Sequence, residues 1–176
     1  MGVLKDLTKE YFGEKVRKED EINIEGLDVE IVSFTDNNGK KHKRGYKPKD
    51  IDTSEIKDMS FLFFYNNTFN GDISGWDVSN VKNMKCMFHD ATSFNQPIGN
   101  WEFPEVQHMR YMFWGATSFN QPIGDWEFPN VTDMTGMFSG ATSFNQDISK
   151  WNIQGVNVSD MFKYCPIKDE YKPKMK

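Results

Sequence analysis

Along most of this chain the apolar residues follow neither the two-residue rhythm of a strand nor the 3.6-residue rhythm of a helix over any length. They recur every 25 residues. Trp76, Trp101, Trp126 and Trp151 stand 25 apart, as do Phe69, Phe94, Phe119 and Phe144, and Ile73, Ile98, Ile123 and Ile148. Ile56, Val81, Val106, Val131 and Val156 keep the same step, and so do Met59, Met84, Met109 and Met134, each followed by Leu62-Phe63, Met87-Phe88, Met112-Phe113 or Met137-Phe138. Polar residues share the grid: Asn70, Asn95, Asn120 and Asn145. The unit reads Trp-acidic-apolar-x-x-Val-x-x-Met-x-x-Met-Phe-x-x-Ala-Thr-Ser-Phe-Asn-Gln-x-Ile-x-x. It departs from this at the ends, with Ile51 in place of the first Trp and a last unit one residue short between Val156 and Met161. Terminal units of an array face solvent or a cap and so differ from the inner ones.

A 25-residue piece cannot bury this many large side chains by itself, so the units must stack and share their apolar faces. The pattern predicts a repeat solenoid of four to five coils over residues 49–163, with short parallel strands in the Val-x-x-Met stretch and one helical turn around Met-Phe-x-x-Ala. At about 4.8 Å between neighbouring strands, such an array is only about 20 Å long. The Trp column predicts one dry core ladder, with the Met residues as adaptable fillers. The Asn column predicts an inward ladder that bridges backbone groups of adjacent coils.

The flanks read differently. Leu4, Leu7, Tyr11 and Phe12 form a helical stripe among Lys and Glu. Leu27, Val29 and Ile31 alternate with Asp28 and Glu30, Asn38-Gly39 is a turn signal, and Lys40 to Tyr46 reads as the returning strand. Residues 1–48 are therefore expected to form a small α/β cap, a helix plus a hairpin. An independent domain is the alternative, disfavoured because so short a piece has a poor core. Residues 164–176 are read as a C-terminal closure.

Composition excludes several classes. Fifteen Phe, six Tyr and five Trp in 176 residues are incompatible with global disorder, and no run approaches the roughly 20 apolar residues that span a bilayer. The net charge of −5 is unevenly spread: residues 1–50 are neutral, 51–150 carry −7 and the last 26 carry +2. An acidic central body argues against nucleic acid as a partner. The cluster Lys40-Lys41-His42-Lys43-Arg44 reads as an edge strand guarded by charge, with an acidic or phosphate-bearing partner as the alternative. Met1 to Leu7 lack the basic start and apolar core of a signal peptide, which predicts a cytoplasmic chain.

Candidate chemistry is sparse. Asp72, Asp77, Asp125, Asp133 and Asp147 lack the close Asp-x-Asp-x-Asp-Gly spacing of a calcium loop. His42, His89 and His108 form no metal-type pair, and Cys86 and Cys165 have neither metal spacing nor a neighbouring base in sequence. No cofactor, metal or catalytic residue is expected, and Cys86 reads as an exposed or half-buried thiol. What remains is the set of columns that vary. Ser60, Lys85, Arg110 and Thr135 make one, Phe61, Cys86, Tyr111 and Gly136 the next, and Phe64, His89, Trp114 and Ser139 a third. Positions free of core duty thus present Phe61, Phe64, Tyr65, Tyr111 and Trp114 near Lys85, His89, His108 and Arg110. Aromatics with Arg are what interface hot spots favour, and a scatter of surface residues is the alternative.

The string Met-Phe-x-Gly-Ala-Thr-Ser-Phe-Asn-Gln-Pro-Ile-Gly-x-Trp at 112–126, nearly repeated at 137–151, resembles the BspA-like leucine-rich-repeat surface proteins. The resemblance covers roughly Lys49 to Phe162. It implies a leucine-rich-repeat-like solenoid at the cell surface, used for adhesion or recognition of a protein or cell-surface ligand, and no catalysis. An intracellular binder that masks a partner, of immunity or inhibitor type, is the alternative expectation.

Overall fold

The computed structural model describes the backbone of residues 30–35 and 41–46, and both backbone and side chains of residues 52–174. Strand β1 (Glu30–Thr35) pairs antiparallel with β2 (Lys41–Tyr46), in a register that sets Glu30 opposite Tyr46 and Thr35 opposite Lys41. Residues 41–44 of the basic cluster are thus on β2. The expected helix over residues 3–18 lies outside the described residues, while the hairpin expected beside it is the β1–β2 pair.

From residue 52 onward the chain builds layers. Asp58, Asn83, His108, Asp133 and Asn157 are joined one to the next by parallel bridges. These bridges are single residues, so the units contribute no extended strands where short parallel strands were expected. The reason is the backbone that follows each bridge. Met59, Phe61, Phe63 and Tyr65 donate their N–H groups forward to the carbonyls of Asn83, Lys85, Met87 and His89, at 2.8–2.9 Å. The N–H groups between them turn back within the unit: Leu62 to Met59, Phe64 to Phe61 and Asn66 to Phe63. Every second donor therefore points at the next layer while its neighbour closes a tight turn.

This alternation requires left-handed backbone twice per unit. Phe61 and Tyr65, Cys86 and Asp90, Tyr111 and Gly115, and Gly136 and Gly140 all have φ between 55° and 71°. Such a conformation costs an ordinary residue roughly 1–2 kcal/mol. Each of these eight residues donates its N–H to the next layer at 2.8–3.0 Å, a gain of similar size in a buried ladder. The hydrogen-bond grid, not glycine, holds the turn.

The layers enclose a continuous apolar interior. Phe69, Phe94, Phe119 and Phe144 stack with centroids 5.9–6.0 Å apart and planes within 7°. A second file, Phe63, Phe88, Phe113 and Phe138, stacks at 5.3–5.6 Å and interlocks with the first at 3.8–4.1 Å. Trp76, Trp101, Trp126 and Trp151 are all buried, as are the Ile, Met and Ala columns. Burial of this apolar surface is the main force holding the units together. Trp126 and Trp151 donate their indole N–H to the carbonyls of Ile98 and Ile123, whereas the Trp101 N–H has no partner among the described residues.

The Asn column corrects the inward expectation. Asn70 is exposed and Asn95, Asn120 and Asn145 are half-buried, so they line the rim of the stack, not its interior. There each Oδ1 accepts the N–H of the next Asn, at 2.9–3.0 Å, and Asn145 Oδ1 accepts that of Lys168. Past the last unit the chain folds back: Ile167 and Pro173 are buried, a 3₁₀ turn spans Asp169–Tyr171, and Ile148 donates its N–H to the Tyr171 carbonyl. Among the described residues no helix is long and apolar enough to cross a membrane.

Candidate functional site

The left-handed turns put the variable columns on one edge of the stack. Most of the side chains there lie side by side outside the core, Cys86 and Ser139 being buried. Phe61 meets Phe64 edge-on at 5.4 Å, Phe64 meets Tyr65 at 4.5 Å and His89 at 4.8 Å, and His89 stacks on Trp114 at 4.5 Å. Tyr65 and Tyr111 flank His89 at 5.5 and 6.4 Å. The result is one continuous strip of rings across three layers. Phe61, Phe64, Tyr65 and Trp114 keep 37–62% of their surface open.

The cations proposed for this face divide. Lys85 Nζ lies 5.4 Å from the Phe61 ring centre, and the Arg110 guanidinium covers Tyr111 at 4.6 Å while donating to its hydroxyl at 3.0 Å. His108 instead belongs to the bridge column, and its ring touches no ring of the strip among the described residues. Cys86 corrects the expectation of an open thiol: it is 4% exposed, a small side chain in the column between the rings of Phe61 and Tyr111. Burial pushes its thiol pKa up, against the pull of Lys85 and Arg110, so the reactive thiolate is disfavoured.

His89 is the half-buried centre of the strip. Its Nδ1 makes no well-aligned hydrogen bond among the described residues, although it lies 3.2 Å from Asp90 Oδ2. Desolvation holds the imidazole pKa below its usual value, and the Asp90 carboxylate opposes that shift. At neutral pH His89 is an uncharged ring in an aromatic run.

The strip stops at the fourth layer. Gly136 and Ser139 stand where earlier layers carry Tyr111 and Trp114, and Asp160 and Lys163 follow in the fifth. The small residues leave a notch of about 330 Å³ walled by Tyr111 and Trp114 on one side and by Asp160 and Lys163 on the other. A Cβ at Gly136, whose φ is +60°, would run into the Tyr111 ring, so glycine lets that ring lie over the layer. Asp160 and Lys163 escape a 25-residue reading of the sequence because the last unit is one residue short, which moves them off the grid. Among the described residues no three His, Cys, Asp or Glu side chains are placed to hold a metal ion.

A family model described as Mycoplasma protein of unknown function, DUF285, matches residues 32–138 and again residues 104–168. Two overlapping matches are what an internally repeating sequence gives. No match is found among curated proteins or among solved structures. With the matched residues spanning well over half of its length, the chain belongs to the DUF285 family of Mycoplasma-type proteins.

Proposed function

We propose that this chain is a non-catalytic recognition module that binds a protein or cell-surface ligand through the aromatic strip. The layered units are read as a short solenoid of leucine-rich-repeat type, and the sequence resemblance to BspA-like surface proteins supports adhesion or surface recognition as the role. One observation carries the reading: Phe61, Phe64, Tyr65, His89 and Trp114 form an unbroken, partly open run of rings, whereas the repeating Trp, Phe, Ile and Met columns are core. Contiguous apolar surface of this kind marks interaction sites, and Tyr, Trp and Arg dominate their energetics. The acidic charge of residues 51–150 favours a partner with a neutral or basic rim.

The test is binding of the purified chain to fixed host-type epithelial cells, wild type against a Phe64→Ser/Trp114→Ser variant. Both residues are on the surface, so the variant should keep its fold by near-ultraviolet circular dichroism. The reading requires saturable binding that falls at least fivefold in the variant. Equal binding by both proteins, or none by either, refutes it.

A further inference from the structure

The notch after the strip carries a more specific reading. We infer that it is a subsite for one neutral sugar ring of a glycan, and this rests on the proposal that the variable edge is the binding face. At about 330 Å³ the space sits at the lower end of ligand cavities, enough for one ring and not for a peptide segment.

Its walls select the chemistry. One face of the Trp114 indole is covered by His89 and the indole borders the notch, offering a π surface, negative at its centre, to polarised C–H groups. Ser139, 5% exposed, lines the notch and brings a hydroxyl that can both donate and accept. Opposite the indole, Asp160 supplies an acceptor and Lys163 a donor, and the two are not paired with each other among the described residues.

Other occupants fit less well. An apolar side chain leaves Ser139, Asp160 and Lys163 desolvated and unmatched. An anion meets Asp160 and a chain of net charge −5, and a cation meets Lys163. A neutral ring bearing several hydroxyls donates to Asp160, accepts from Lys163, exchanges with Ser139 in either sense, and lays its C–H face on Trp114.

Saturation-transfer NMR on the full chain tests this with methyl α-mannoside, methyl β-galactoside and methyl β-N-acetylglucosaminide as probes. At least one should show transfer concentrated on one face of the ring and a Kd of roughly 1–10 mM, as suits a single small ring. Ser139→Phe fills the notch and should weaken binding at least tenfold. Asp160→Asn, at an exposed left-handed position that Asn tolerates, should weaken it several-fold without a folding change. Glu102→Gln, exposed and outside both strip and notch, should leave it unchanged. The inference is overturned by absence of transfer to all three sugars at 20 mM, by transfer that survives both notch variants, or by N-acetyl-argininamide or N-acetyl-tyrosinamide displacing the sugar at lower concentration than the sugar itself requires. Cell binding lost in the Phe64→Ser/Trp114→Ser variant with no sugar bound sinks the notch alone. Sugar bound without any cell binding sinks the recognition reading alone.

Discussion

Trp101 and Trp126 occupy the same column, are each 3% exposed, and differ in one hydrogen bond. Trp126 Nε1 donates to the Ile98 carbonyl at 3.1 Å, while Trp101 Nε1 is buried with no acceptor among the described residues. Replacing either with Phe removes the same indole volume and keeps a ring in the stack, so the packing loss is common to both. At Trp126 the change also removes a net hydrogen bond of about 1 kcal/mol; the Ile98 carbonyl keeps its second partner, the backbone N–H of Trp101. At Trp101 the change removes an orphaned donor whose desolvation costs about 1–3 kcal/mol. Trp126→Phe should therefore cost at least about 2 kcal/mol more than Trp101→Phe. With slopes of roughly 1–3 kcal/mol/M in urea, the unfolding midpoints should differ by about 1 M. Trp126 also has the closer aromatic neighbours, Phe103 at 4.8 Å and Trp151 at 6.1 Å, which pushes in the same direction. Equilibrium urea unfolding followed by far-ultraviolet circular dichroism reads the difference. If Trp101→Phe proves as costly as Trp126→Phe, the indole bonds between layers are not what distinguishes the two positions.

Three further outcomes follow from the same geometry. Gly136→Ala should destabilise by more than the roughly 1–2 kcal/mol of a left-handed alanine because it also displaces the Tyr111 ring, whereas Gly140→Ala, with its nearest neighbour at an ordinary 3.6 Å, should cost only the backbone term; paired thermal melts compare them. Asn120→Ala removes an oxygen that accepts from both the Asn145 N–H and Gln146 Nε2 and should cost about 1–2 kcal/mol, against less for Asn70→Ala at the exposed end, read from chemical unfolding. For His89 the folded pKa lies below the unfolded 6.5 because burial among Phe64, Tyr65, Tyr111 and Trp114 outweighs Asp90, so below pH 6.5 the unfolded chain binds more protons. Stability should fall as pH drops through 6.5 toward the folded pKa and then level, and His89→Phe should flatten that segment of the midpoint-against-pH curve between 7.5 and 5.5.

The columns of Trp, Phe, Ile and Met were visible in the chain because a shared interior imposes the same residue on every layer. Two strands were visible as well, since alternation around Val29 and Ile31 and the Asn38-Gly39 signal correspond to the pairing of Glu30–Thr35 with Lys41–Tyr46. The turns were not. Left-handed backbone is normally announced by glycine, and Phe61, Tyr65, Cys86 and Tyr111 adopt it under the pull of hydrogen bonds that no local pattern encodes. The same blindness hid the burial of Cys86. Most of the strip was legible as columns free to vary, because repeats can be compared with one another. Its charged far wall was not, because a single missing residue shifts Asp160 and Lys163 out of phase.

The two left-handed positions in each unit have a bearing on how such a chain can diversify. Elsewhere a bend of this hand ties a site to one amino acid, and change there is purged. Here the bend is enforced from outside the residue, so Phe, Cys, Tyr, Gly and Asp all occupy one such column. Substitutions that would ruin an ordinary loop become permissible at the very edge where a new partner would be met, and a lineage can revise what it touches while leaving its architecture alone.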